Sequence, residues 1–223
     1  MIMREIWILV KKEMLIELRM KYALSGMLLY LVSSIFLGYI TFSLGRAQIN
    51  VPTWNVLFWI IMLFVATNSI AKSFIQESKE RLLYYYTIAN PQSIIISKII
   101  FNSLLMLFLV LVGFVIYIIL LGNPVEDVPL FIFSLLLGAI GFSATFTMIS
   151  SIASKASNSG TLMAILGFPI IIPILLLLIK ISRNAIEGLD RSTTYDEIIT
   201  LVAIIIIAIS TSILLFPYLW RSN

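Results

Sequence analysis

Residues 99–125 read IIFNSLLMLFLVLVGFVIYIILLGNPV, a run without one charged side chain. A helix needs about 20 apolar residues, each rising about 1.5 Å, to cross the hydrocarbon core of a bilayer. Apolar side chains would cover every face of such a helix. Segments such as Leu104–Val112 show no alternation of apolar and polar residues, which argues against a membrane β-barrel. The stretch therefore predicts a transmembrane helix.

Five further charge-free runs have this character. They are Tyr22–Gly45, Ala47–Ala71, Val128–Ser154, Ala156–Ile179 and Ile198–Trp220. The chain is 61% hydrophobic and only 12% charged, whereas a soluble domain carries about 25% charged residues. We therefore predict an all-α, polytopic integral membrane protein with six transmembrane helices. The predicted single membrane domain covers residues 1–223, with spans at residues 24–44, 54–72, 97–121, 129–153, 161–180 and 198–218.

The distribution of basic residues predicts the orientation. Six spans place both termini on one side of the membrane. Of the 15 Lys and Arg residues, only Arg46, Lys180, Arg183 and Arg191 would lie on the opposite side. Loops rich in Lys and Arg stay in the cytoplasm, so we expect both termini to be cytoplasmic.

The segment before the first span is expected to form a cytoplasmic interfacial helix over residues 1–22. It holds no Gly or Pro, and its apolar residues recur at helical spacing. These are Ile6, Val10, Met14 and Leu18. Glu13 and Glu17 fall near this stripe and weaken it. The helix could anchor at the membrane surface or pack on a cytoplasmic subunit.

The connection Lys72–Lys98 is the most informative segment between two spans. Acidic and basic residues are followed there by an apolar, tyrosine-rich run, which suits a short helix at the membrane surface. It is either an ordinary interfacial loop or a docking helix that receives motion from a partner ATPase. The candidate docking residues are Gln76, Glu77, Lys79, Glu80, Arg81 and Leu83.

Two spans contain residues that affect helix packing or helix shape. Gly138 and Gly141 are small enough to allow close helix packing, with a substrate groove as the alternative. In span five, Gly167 precedes Pro169 and Pro173, and each proline removes a helical hydrogen bond. We expect a kink or break at this point, either static or working as a hinge during transport.

The composition excludes several kinds of chemistry. The chain has no Cys and no His, so it offers no disulfide and no imidazole for a metal or haem iron. It has no G-x-x-x-x-G-K-[ST] phosphate-binding loop, and the charge-free spans disfavour ion-driven secondary transport. We therefore expect no catalytic residues, no metal site, no directly bound cofactor and no nucleic-acid partner. Energy for transport would have to come from another subunit.

Two blocks of the sequence resemble a known family. The six spans, the N-terminal helix and the charged loop after span two are similar to type-2 ABC exporter permeases. Within these, Ala66–Asn102 and Gly138–Ser182 resemble the cytochrome c maturation B family, the haem exporter B permeases. The first block has a charged loop, Pro91 and Lys98, and the second has a two-proline motif. Arg81 and Tyr84 depart from the family pattern, which has a small and an acidic residue there.

The resemblance implies a permease subunit of an ABC-type complex in the bacterial inner membrane. Such a complex serves haem export, or release of the haem chaperone, in c-type cytochrome biogenesis. The implied partners are a cytoplasmic ATPase that handles ATP, the haem-handling cytochrome c maturation C protein, a small membrane subunit, a periplasmic haem chaperone and membrane lipid. Haem would be handled by the complex. Two alternatives stay open, namely a type-2 ABC permease for a drug, lipid or polysaccharide, and a non-transporting membrane assembly subunit.

Overall fold

A computed structural model describes residues 2–19, 21–44, 49–70, 74, 89–155 and 159–221. In this part of the chain the regular structure is helical, without a strand. The helices are α1 (Ile2–Arg19), α2 (Lys21–Leu44), α3 (Val51–Ser69), α4 (Pro91–Leu121), α5 (Val128–Ala153), α6 (Ser159–Ile186) and α7 (Tyr195–Arg221), with a 3-10 turn at Arg191–Thr194.

Helices α2 to α7 are long and apolar enough to cross a membrane. The predicted all-α, polytopic architecture is therefore confirmed. Residues 99–121 of the first charge-free run lie in α4, which begins at Pro91 and ends before Gly122. Gly122 has a φ of +80°, a conformation that glycine adopts without the steric cost of a Cβ.

Proline and a capping side chain begin two of the spans. Asn50 Oδ1 accepts a hydrogen bond of 2.9 Å from the Thr53 amide at the start of α3. Asp127 Oδ1 accepts one of 3.1 Å from the Leu130 amide at the start of α5. Proline occupies the first turn of both helices, where its missing N–H is not needed.

Helix α5 lies at the centre of the bundle and packs against α4, α6 and α7. Aromatic rings from α3, α4 and α5 form a cluster at one end. Its members are Trp54, Phe58, Phe114, Tyr117 and Phe131, with centroid separations of 4.8 to 6.2 Å. Tyr117 Oη donates to the Trp54 carbonyl at 2.9 Å, and Trp54 Nε1 donates to the Gly122 carbonyl at 3.2 Å. These contacts fix the helices at that end.

A second, smaller core lies at the other end of the bundle. It contains Phe74, residues of the first turns of α4, and Phe216 of α7, with Leu9 of α1 packed against it. We call this end, which carries α1 and the end of α7, the terminal end. We call the end that carries Asp127 and Ser182 the opposite end. Helix α4, which follows the predicted docking loop in the sequence, begins at the terminal end.

Candidate functional site

The first turns of α4 hold α1 in place. The Glu5 carboxylate of α1 accepts hydrogen bonds from the Asn90 amide at 2.7 Å, from Asn90 Nδ2 at 3.3 Å and from Ser93 Oγ at 3.2 Å. The Asn90 side chain makes no capping bond to its own helix. Glu5 therefore places a negative charge at the start of α4, where the helix dipole favours an anion.

Lys98 is the buried charge of this region. Its side chain is only 7% exposed, and Nζ lies 3.4 Å from Glu13 Oε1 on α1. Lys12 Nζ lies 2.8 Å from the same oxygen. Burial acts to raise the pKa of the Glu13 carboxyl, but the charges and hydrogen bonds of Lys98 and Lys12 outweigh it and lower that pKa. Glu13 therefore stays ionised and joins α1 to α4.

Phe74 connects this ion pair to the rest of the bundle. Its amide donates to Ser150 Oγ of α5 at 3.2 Å, and its ring lies 5.3 Å from the ring of Phe216 on α7. Lys98 Nζ lies 4.8 Å from the Phe74 ring centroid, a distance at which a cation is attracted to the ring face. Phe74 is 3% exposed. We call the group Glu13, Phe74, Lys98, Ser150 and Phe216 the terminal junction.

A buried polar contact extends the terminal junction into the bundle. One helical turn beyond Lys98, Asn102 Nδ2 donates to Thr147 Oγ1 of α5 at 2.8 Å. Both side chains are buried, so each satisfies the other in apolar surroundings. A displacement of Phe74 or α1 would therefore act on α4, α5 and α7 together.

The predicted docking residues Gln76, Glu77, Lys79, Glu80, Arg81 and Leu83 lie outside the described residues. Phe74, two positions before the first of them, is described and is fixed in the terminal junction. Contacts among Glu13, Lys98 and Phe74 were not predicted from the sequence. Glu13 was noted near the apolar stripe of α1 and Lys98 in the family resemblance, but neither signal paired one with the other.

Gly138 and Gly141 lie where α5 meets three other helices. A Cβ at Gly138 would lie 2.6 Å from Trp59 Cζ3 on α3 and 3.3 Å from Leu178 Cδ1 on α6. A Cβ at Gly141 would lie 3.4 Å from Ile174 Cγ2 on α6 and 3.5 Å from Ile205 Cδ1 on α7. Of these two glycines, therefore, only Gly138 has no room for a side chain.

The ring that Gly138 accommodates is held by a polar cluster at the opposite end. Trp59 Nε1 donates to Ser182 Oγ at 2.8 Å. Ser182 Oγ lies 2.7 Å from Asn55 Oδ1, and Asn55 Nδ2 donates to the Ile179 carbonyl at 2.8 Å. These bonds join α3 to α6. They were not foreseen, because nothing in a single sequence pairs Asn55 with Ser182.

The two-proline segment keeps its helical conformation. Helix α6 runs without a break from Ser159 to Ile186 through Pro169 and Pro173, so the break that was one expected outcome is not observed. Both prolines are exposed on the outer face of α6, whereas Gly167 is buried. Gly167 also lines an apolar groove of about 320 Å³ between α3, α5 and α6.

Comparison with known proteins adds one finding. A family model described as CcmB protein matches residues 4–217. The match covers most of α1, the docking loop and the two-proline segment together. No individually curated protein and no solved structure gives a significant match.

Proposed function

Since this chain belongs to the CcmB protein family, we propose that it is the permease subunit of an ABC-type complex that serves c-type cytochrome biogenesis. Family membership and the six apolar helices make it an integral membrane component of the haem export system. The finer proposal is that a separate cytoplasmic ATPase drives this component. The work of the complex would be haem export or release of the haem-loaded chaperone.

The terminal junction is the observation that carries the proposal. A permease without a nucleotide site needs a mechanical connection between its spans and the subunit that hydrolyses ATP. Phe74 stands two positions before the first candidate docking residue and contacts α4, α5 and α7 through Lys98, Ser150 and Phe216. A force on the loop would therefore reach three spans at once.

The position of the basic residues supports the proposed arrangement in the membrane. Most Lys and Arg residues belong to the side that carries the termini, which favours a cytoplasmic location for the terminal end. The ATPase would then meet the loop in the cytoplasm, across the bacterial inner membrane from the periplasmic chaperone. The cytochrome c maturation C protein and a small membrane subunit would contact the spans. Haem would be held by these partners, because this chain has no His or Cys to ligate its iron.

Copurification of the ATPase tests the docking part of the proposal. The charge-swapped variant Glu77→Lys/Glu80→Lys should recover less ATPase with the tagged permease. Glu187→Lys is the matched control, because Glu187 is an acidic residue at the opposite end, paired with Arg183. Equal ATPase recovery with the loop variant and the control would contradict the docking role.

A second variant tests the terminal junction itself. Lys98→Met keeps an apolar stem but removes the charge that meets Glu13 and the Phe74 ring. We expect this variant to copurify with the ATPase as the wild type does, yet to yield less covalent c-type haem. Full haem attachment with Lys98→Met would show that the terminal junction does not transmit the motion.

A further inference from the structure

A second groove separates α1 from α4 beside the terminal junction. Its volume is about 300 Å³, and its lining is almost entirely apolar, including Met14 and Leu18 of α1 and Leu104 and Phe108 of α4. Glu17 is the one charged residue among the described residues that line it. The groove is independent of the docking loop and of the two-proline segment.

The Glu17 carboxylate makes the groove unusual. Its Oε1 atom is buried and has no hydrogen-bond partner among the described residues. Burial raises the pKa of Glu17, and the charge of Glu13 one turn earlier raises it further. Glu13 itself is matched by Lys12 and Lys98. A carboxylate in apolar surroundings is stabilised by a cationic hydrogen-bond donor, and the groove leaves space for one.

The position of the groove indicates what can enter it. Lys98 marks the start of the charge-free run of α4, and Leu104 and Phe108 lie farther along that span. Leu104 is 52% exposed and Phe108 is 46% exposed, so the groove is open on the side that faces the lipid chains. Glu17, on a helix outside the spans, lies towards the level of the headgroups.

We propose that this groove binds an aminophospholipid, with its ammonium group donating to Glu17 Oε1 and an acyl chain lying along Leu104 and Phe108. An ammonium headgroup supplies both the positive charge and the N–H donors that the buried oxygen does not find among the described residues. A glycerol headgroup supplies no positive charge, and a choline headgroup has the charge without an N–H donor. Phosphatidylethanolamine is the matching probe.

A bound lipid of this kind would join α1 to α4 next to the Glu13–Lys98 pair. It would add a contact between the two helices that the terminal junction already connects. The stability of the chain would then depend on the lipid headgroup, and Glu17 would be the residue that confers the dependence.

Thermal unfolding of the purified full chain in detergent tests the proposal. Phosphatidylethanolamine, phosphatidylglycerol and phosphatidylcholine with identical acyl chains are titrated separately. We expect a saturable rise in Tm with phosphatidylethanolamine, a smaller one with phosphatidylcholine and none with phosphatidylglycerol. In Glu17→Gln, half-saturation should need about tenfold more phosphatidylethanolamine, as expected for loss of a charge-assisted hydrogen bond.

Two further variants keep the test decisive. Glu187→Gln removes an acid at the opposite end and should respond as the wild type does. Leu104→Trp fills the groove while leaving Glu17 in place, and it should also abolish the selective rise, which decides the matter if Glu17→Gln does not fold. Equal shifts with phosphatidylethanolamine and phosphatidylglycerol would overturn the proposal. An unchanged response of Glu17→Gln would also overturn it. So would a Tm that rises only with a basic segment of a partner subunit and with none of the three lipids.

Discussion

Replacing Gly138 by alanine should destabilise the bundle, although alanine is the better helix former. The new Cβ would lie 2.6 Å from Trp59 Cζ3 and 2.7 Å from Cη2, so one of the two helices must shift. The Trp59 ring has little freedom to move. It is fully buried, its indole N–H bonds to Ser182, and it packs against Phe58 and Phe142.

The expected magnitude follows from two opposing effects. Overpacking a well-packed core costs about 1–3 kcal/mol, and contact with a rigid ring places this case at about 3 kcal/mol. Replacing glycine by alanine inside a helix gains about 1 kcal/mol. The net loss for Gly138→Ala is therefore about 2 kcal/mol. Gly141→Ala gains the same helix propensity without a clash, because its nearest neighbour would lie at 3.4 Å.

Unfolding of the purified protein in mixed micelles, followed by tryptophan fluorescence, measures these differences. We expect Gly141→Ala to equal or exceed the wild type in stability and Gly138→Ala to fall below both. Gly113→Ala should have a stability between those of the other two variants. Its Cβ would lie 2.6 Å from the methyl carbon of Met62, but this flexible side chain can move aside. Equal stability of Gly138→Ala and Gly141→Ala would show that the Trp59 ring does not exclude a side chain at position 138.

Three other predictions concern the opposite end and α6. Ser182→Ala removes the acceptor of the Trp59 indole and should cost about 1–3 kcal/mol in the same unfolding assay; an unchanged value would mean that the indole finds another acceptor. The hydrogen bonds from Arg191 and from the Leu130 amide hold the pKa of Asp127 below its usual range. Its contribution to stability is therefore present above the unfolded pKa of about 3.9 and is lost as the pH falls through the lower folded value. In Asp127→Asn this loss of stability on acidification should be absent. If the variant and the wild type lose stability equally below about pH 4, Asp127 is not the source of the loss. Replacing both prolines of α6 by alanine restores two helical hydrogen bonds and should raise stability, since an interior proline costs about 3 kcal/mol. If the segment works as a hinge, c-type haem attachment should fall in the same variant. Full haem attachment in that variant would mean that the prolines only shape the helix.

The spans could be predicted because lipid imposes a simple constraint on sequence. A charge inside a span is costly, so the charge-free runs marked the six helices directly. Gly138 was also predicted as a packing residue from its size, but its neighbour was not. Trp59 is on another helix, and a lone glycine does not indicate which large side chain it accommodates.

The terminal junction was beyond prediction for a related reason. Glu13 and Lys98 are 85 positions apart, and nothing local shows that one matches the other. Glu13 was visible only as an interruption of the apolar stripe of α1. In the structure Glu5 and Glu13 attach α1 to the start of α4, so the acidic residues near the stripe have a packing role that an amphipathic pattern does not reveal. The docking residues from Gln76 to Leu83 remain a prediction, because they lie outside the described residues.

The proposed function places this chain in haem delivery to c-type cytochromes, driven by ATP hydrolysis in a partner subunit. A covalent-haem stain of membrane and periplasmic proteins from a strain without the gene tests it most directly. All c-type cytochrome bands should be lost in this strain. They should return fully with the wild-type gene and only weakly with Lys98→Met or with the charge-swapped loop. Normal bands in the deletion strain, in the absence of a second copy, would contradict the account and favour export of another substrate.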